Sequence, residues 1–302
     1  MSFMTRAKSA DWERLMYEII GSISTSDMPI VFKGAFITKL VLAENKFESF
    51  ERPTVDIDAN WTCKPPTVGD MVGGINKALA NVSVDLYAKL TREYSENKSA
   101  GIIIFERASG DPLVEMDISM SNSQKSRLYH RDELIIRGVL PTEILADKIS
   151  VLSSNKIFRR AKDLVDVYAL AHCVEVRTTE IYESHRRNER VLGSFAEFNT
   201  RKDDLSHAYQ KLRGIENKPN FEDVYQYVGK FVKPFGLGYE VDQLWLPKSF
   251  DWIDPVIDIE EPGHTKKRTL AEKLELGKEK VAEQDRQKEA LPQPKRKNDH
   301  EL

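Results

Sequence analysis

Apolar positions recur every three or four residues over 7–26, where Trp12, Leu15, Met16 and Ile19 fall on one stripe; that period predicts an amphipathic helix. MPIVFKG, 28–34, is a short apolar run closed by glycine and predicts a strand, and AFITKLVLAE after it predicts a helix. In PTVDIDANW the pattern changes to strict alternation. Val55, Ile57 and Ala59 fall on one side and Thr54, Asp56, Asp58 and Asn60 on the other, which is the period of a strand. VGDMVGGINKALANV, 68–82, predicts a helix despite Gly69, Gly73 and Gly74. GIIIFER and PLVEMDISM alternate on either side of Ala108-Ser109-Gly110-Asp111 and predict a hairpin.

After RGVLPTEILADK the alternation stops. From 141 to about 235 the period is helical throughout, with helices expected over 142–153, 157–173, 177–190, 200–213 and 220–233 and no strand. Beyond about 258 large apolar residues become scarce. Such a segment buries too little to offset its ordering entropy, so a solvated helix over 269–290 and a disordered basic end are expected. The pattern predicts an α+β chain: a mixed sheet-and-helix domain over 1–137, an all-helical domain over 138–257 and a charged tail over 258–302.

Composition narrows the function classes. Hydrophobic residues make up 40% and charged residues 31% of 302, with a formal net charge of −3. No global basic field exists, so any nucleic-acid contact must come from a local patch. Cys63 and Cys173 have neither metal nor redox spacing, and the six histidines form no H-x-x-x-H or His/Cys pairing, which argues against zinc. No run approaches the roughly 18 apolar residues of a membrane span, and MSFMTRAKSADW lacks a signal-peptide core. A cytoplasmic protein without membrane contact is expected. Serine-hydrolase and P-loop motifs are missing.

The alternating strands carry the chemistry. Asp56 and Asp58 share a face, and like charges that close call for a cation, a shared proton or water. LVEMDISM repeats the pattern, with Glu115 and Asp117 on its polar face. If that strand lies beside the first, Asp56, Asp58 and Asp117, with Glu115 as competing third, make a hard oxygen site suited to Mg²⁺ or Mn²⁺. Two such ions about 4 Å apart would support in-line displacement at phosphorus. A D-x-D taken alone also occurs on solvated strand faces. In VFKGAF, Gly34 stands between strand and helix, where backbone N–H groups can receive a phosphate, with Lys33 beside it; the same residues would suit a plain tight turn. Lys148 lies within the apolar stripe of its helix and calls for an anion or a snorkelling stem. A phosphate brought to Asp56 and Asp58 is the candidate anion, with Asp163 or Asp166 as the partner when the site is empty. ESHRRNER, 183–190, is either an RNA-backbone patch or a solvated face.

Taken in order, K-G-A, R-P-T-V-D-I-D, E-M-D, E-I-L-A-D-K and R-R-A-K-D-L-V-D-V-Y resemble the AbiEii/AbiGii nucleotidyltransferase toxins of the polymerase-β-like nucleotidyltransferase superfamily. The matching residues are Lys33, Gly34, Arg52, Thr54, Asp56, Asp58, Lys148, Arg160, Lys162, Asp163, Asp166 and Tyr168. Ala35 replaces the second small Gly/Ser, so a serine hydroxyl is lost there and the backbone N–H retained. The resemblance implies a polymerase-β-like nucleotidyltransferase domain followed by a helical domain. It implies metal at Asp56, Asp58 and Asp117, nucleotide contacts at Lys33, Gly34, Ala35, Thr54 and Arg160, and catalytic roles for Asp56, Asp58, Lys148, Asp163 and Asp166. A nucleoside triphosphate would be the substrate, RNA (transfer RNA first) the acceptor, a cognate antitoxin the partner and phage defence the setting. A non-catalytic nucleotide- or RNA-binding module, or transfer to a protein or small molecule, is the alternative.

Overall fold

The computed structural model describes residues 10–47, 54–64, 66–93, 99–120, 123–215 and 217–255. Arg52 and the expected solvated helix and basic end lie outside the described residues. The elements run α1 (Ala10–Thr25), β1 (Ile30–Lys33), α2 (Gly34–Glu44), β2 (Asp56–Trp61), α3 (Val68–Val82), β3 (Leu86–Arg92), β4 (Ser99–Glu106), β5 (Pro112–Ser119), β6 (Ser126–Arg131) and β7 (Leu134–Val139). They continue with α4 (Pro141–Leu152), a 3₁₀ turn (Ile157–Arg159), α5 (Ala161–Cys173), β8 (Val176–Arg177), α6 (Thr178–Arg187), α7 (Ala196–Thr200), α8 (Lys202–Gln210), α9 (Phe221–Val232), β9 (Leu244–Leu246) and β10 (Asp251–Ile253).

Seven strands form one mixed sheet in the order β3-β4-β5-β2-β1-β7-β6. The alternation in β2 and β5 sorts its two faces. Ile57, Ala59, Val114, Met116 and Ile118 are buried, whereas Asp56, Glu115 and Asp117 are exposed on the other side. β2 and β5 are parallel neighbours that pair Asp56 with Glu115 and Asp58 with Asp117. β4 and β5 form the expected hairpin, with Gly110 at φ +71° in its turn, a conformation open to glycine. The β3 edge is blunted by Asn76 of α3, whose side chain accepts from the Ala88 N–H at 2.7 Å and donates to its carbonyl at 3.2 Å, satisfying groups that would otherwise invite a further strand.

α1 buries Trp12, Met16, Ile19, Ile20 and Ile23, the stripe its period predicts, widened by half a turn. α3 starts at Thr67, whose hydroxyl accepts from the Asp70 N–H at 3.1 Å and satisfies one orphan amide of the first turn. α4 opens with Pro141 at its first position, where the missing N–H costs nothing. It buries Ile144, Leu145, Ile149 and Leu152. α5 packs on α2, α4 and α9, so the second half of the chain docks onto the sheet through α2.

Three expectations change. The helix expected over 200–213 is instead α7 and α8, broken at Arg201. The second half is not strand-free, because β8, β9 and β10 make a small sheet. Its centre is the fully buried Trp245, whose indole donates to the Ala171 carbonyl at 2.7 Å. The 183–190 segment is only in part a solvated face: Arg186 is exposed, but His185 is buried and bonds the Ala146 carbonyl at 2.8 Å, and Arg187 pairs with the buried Glu143. No helix among the described residues is long and apolar enough to cross a membrane.

Candidate active site

The strand-to-helix junction at Lys33-Gly34 sets the floor of a cleft. β1 and β2 are antiparallel and pair Lys33 with Asp58. Gly34 takes φ +70°, and a Cβ added there would meet the Asp58 Cβ at 3.0 Å with the carboxylate oxygen closer still. Both the backbone angle and the close approach therefore require glycine. α2 begins at Gly34 with neither a side-chain cap nor an acidic residue in its first turn, which leaves an amide end suited to an anion. Ala35 stands in that first turn.

Lys33, Gly34, Asp58, Asp147, Lys148 and Asp163 line one cleft, with Val139, Ile144 and Val151 as its apolar side. Residues more than a hundred positions apart thus meet across strand β1 and helices α4 and α5. On the sheet side the charges are poorly satisfied. Burial raises the Asp58 carboxyl above its ordinary range and neighbouring Asp56 raises it further, while Lys33 and Lys148 oppose the shift. Burial also lowers the Lys33 ammonium to about 8, against the pull of Asp58 and with a further push from Arg190. Among the described residues Lys33 contacts no aspartate in compensation; its Nζ donates to the Ser119 hydroxyl at 3.0 Å. Thr54 is buried and donates to Asp56 Oδ1 at 3.0 Å, which fixes one carboxylate of the pair.

On the helix side the charges are closely matched. Lys148 Nζ sits 2.8 Å from Asp163 Oδ1 and 2.7 Å from Asp166 Oδ2. Burial works against its charge, but Asp166 and Asp163 outweigh that and leave its pKa raised. Arg160 reaches Asp163 at 3.7 Å, one turn before it, and its Nε is buried without a hydrogen-bond partner.

Asp117 reaches the same sheet face, but its carboxylate is held by Arg92, and Glu115 stands opposite Asp56. Among the described residues no three acidic, histidine or cysteine side chains converge on a point that would hold an ion. Sequence patterning overlooks Asp147 and Arg190. The chain turns back at Glu189, φ 51°, after α6, and so delivers Arg190 to Asp147 on the cleft wall. The only local signal is the arginine run itself.

A family model described as nucleotidyl transferase AbiEii toxin, type IV TA system, matches residues 14–227, the stretch that contains the sheet and the helices lining the cleft. Among solved structures, MenT4, a nucleotidyltransferase toxin from Mycobacterium tuberculosis H37Rv, is similar over 80% of this chain and 87% of its own, at 11% identity and a TM-score of 0.48. A comparison with curated proteins finds no match.

Proposed function

The chain belongs to the AbiEii nucleotidyltransferase toxin family of type IV toxin–antitoxin systems, and on that premise we propose that it transfers a nucleoside monophosphate from a nucleoside triphosphate to a hydroxyl of RNA, with transfer RNA the favoured acceptor. The observation that carries this reading is the gathering of Lys33, Gly34, Asp58, Lys148 and Asp163 around one cleft. The family's type IV description implies a cognate antitoxin, and the setting we propose is arrest of growth during phage attack.

A divalent ion, Mg²⁺ or Mn²⁺, fits Asp56 and Asp58: two neighbouring carboxylates, one of them half-buried with its pKa raised by burial and by the other, favour a hard cation. Asp117 would join only by leaving Arg92. When bound, the ion would neutralise the aspartates, hold the phosphates and ease deprotonation of the acceptor hydroxyl. The chain's own groups do the rest. Lys33 and the α2 amide end meet the phosphates, and an arriving anion relieves a half-buried ammonium that among the described residues has no carboxylate in contact. Lys148 contributes by exchanging part of its contact with Asp163 and Asp166 for phosphate oxygen. Thr54 keeps Asp56 in place. The acceptor oxygen attacks the α-phosphorus, the bond to the bridging oxygen breaks, and pyrophosphate leaves with the developing charge set against the two lysines.

The test is incubation of the purified chain with each labelled nucleoside triphosphate, Mg²⁺, and total cell RNA or protein. Label in RNA, lost in Asp58→Asn, is expected. Label in protein alone would replace the acceptor. Triphosphate binding without transfer to either would make the chain a binding module.

A further inference from the structure

A second cluster of chemistry lies on the same open sheet face, toward the β3 edge. Tyr87 of β3 and Phe105 of β4 are cross-strand partners. Their rings stack with centroids 5.3 Å apart and planes 17° apart, and both stay half-exposed. Lys89 Nζ lies 5.3 Å from the Tyr87 centroid and 5.5 Å from that of Phe105, and the Arg107 guanidinium lies 5.1 Å from Tyr87. Two rings between two cations is a compact aromatic and basic patch in a chain with no global positive charge.

Its position matters as much as its chemistry. Lys89 pairs with Ile103, Ile103 with Glu115, and Glu115 with Asp56. This row crosses the sheet from the patch to the carboxylates of the cleft. Side chains in register point to one face, so the rings and Asp56 look the same way. From β4 to β2 is two strand steps, about 10 Å at roughly 4.8 Å each, a span that a few nucleotides of extended strand can cover. Bases stack on aromatic faces without regard to sequence, and phosphates meet lysine and arginine beside them.

We propose that Tyr87 and Phe105, flanked by Lys89 and Arg107, are the platform on which the single-stranded end of the acceptor RNA stacks, so that its terminal hydroxyl is led across β4 and β5 to Asp56 and Asp58. This rests on RNA as the acceptor. A purely structural role, a cross-strand pair that steadies the hairpin edge, would show in thermal stability and not in RNA affinity.

The experiment measures binding of a fluorescent, unstructured single-stranded RNA to the full chain by anisotropy, across a salt series, with melting and triphosphate binding recorded for every variant. The double variant Tyr87→Thr/Phe105→Thr keeps β-forming residues and removes both rings; its RNA affinity is expected to fall about tenfold or more, the loss of one or two stacked bases. Lys89→Gln and Arg107→Gln keep the rings and should each lower the slope of log affinity against log salt by about 0.7. Leu128→Thr, an exposed residue on strand β6 at the opposite edge, should leave affinity unchanged. If the wild type binds and labels RNA while the ring variant and both charge variants, all folded, match it, the platform is wrong and the RNA reading stands. Should the wild type bind triphosphate yet neither bind nor label RNA, the acceptor assignment falls and the platform with it. If the ring variant does not melt cooperatively, the two charge variants decide.

Discussion

The two walls of the cleft each set a half-buried lysine near two aspartates, and they are tuned in opposite directions. On the sheet wall, burial takes the Lys33 ammonium down to about 8 and the Asp58 carboxyl up. On the helix wall, the pKa of Lys148 is raised although burial opposes its charge. The difference is contact. Lys148 lies within 2.8 Å of both Asp163 and Asp166, two carboxylates one helical turn apart on a single element. Lys33 donates to a serine hydroxyl, and the aspartates that act on it, Asp58 and Asp117, sit on β2 and β5, whose backbone spacing is fixed. One wall is left incomplete, and an anion with its cation would complete it. The other wall is complete, and any ligand must compete for its lysine. A composition shared by two regions therefore says little until distance and burial are known.

Removing Asp58 is the strongest way to break this comparison. Asp58→Asn should lower transfer on the order of a thousandfold while the metal-free chain melts higher than wild type, because a half-buried, repelled charge is gone. A steady-state assay beside differential scanning calorimetry checks both; undiminished transfer would sink the sheet wall as the reacting centre. Lys148→Met comes next. It keeps the stem and deletes the charge, so triphosphate use should fall about a hundredfold. Taking the Lys148 charge away from the Asp163 and Asp166 carboxylates of α5 should cost on the order of 3 kcal/mol of stability, read by urea unfolding.

Lys33→Met sharpens the contrast with the smallest effect. The same chemical change should stabilise the metal-free chain, on the order of 1 kcal/mol at pH 7, while weakening triphosphate binding. The sign follows from proton counting. The unfolded chain keeps the Lys33 proton up to its ordinary value of 10.5, and the folded chain releases it near 8. Unfolding takes up a proton in that window, so the Lys33 contribution to stability rises as pH climbs from 8 to 10.5. The advantage of Lys33→Met should shrink accordingly between pH 7 and pH 10. For Lys148, whose pKa is raised, the stabilisation is present below 10.5 and is lost only as pH rises through its higher folded value. Opposite signs of the two Lys→Met effects on stability are the decisive reading; equal signs would dissolve the comparison.

Much of this was legible where a segment carries its own period. α3 spans the same 68–82 that its apolar spacing predicts, and the β4–β5 hairpin falls about its glycine turn. β3, β6 and β7 were not legible. LYAKLTR and SRLYHR interleave charges with apolar residues at sheet edges, where one side of the strand needs little burial. LIIRGV becomes a central strand only by parallel pairing with β1, Phe32 beside Gly138, a contact no local window contains. At the site, the alternation exposed Asp56 and Asp58, and an apolar stripe betrayed Lys148. Arg190 stayed hidden, since its place depends on a left-handed turn at Glu189 and on where α4 lies.

The parallel pairing of β1 with β7 also bears on synthesis. A chain emerging from the ribosome presents Lys33, Gly34, Asp56 and Asp58 long before β7 arrives, and β1 then lacks one of its two neighbours. Lys148, Asp163 and Asp166 follow later still. Pairings this distant in sequence form late, after the loop between them has closed. The nascent protein is therefore expected to be chemically silent until the helices that line the cleft have been made, and a message truncated before them would yield no harmful product.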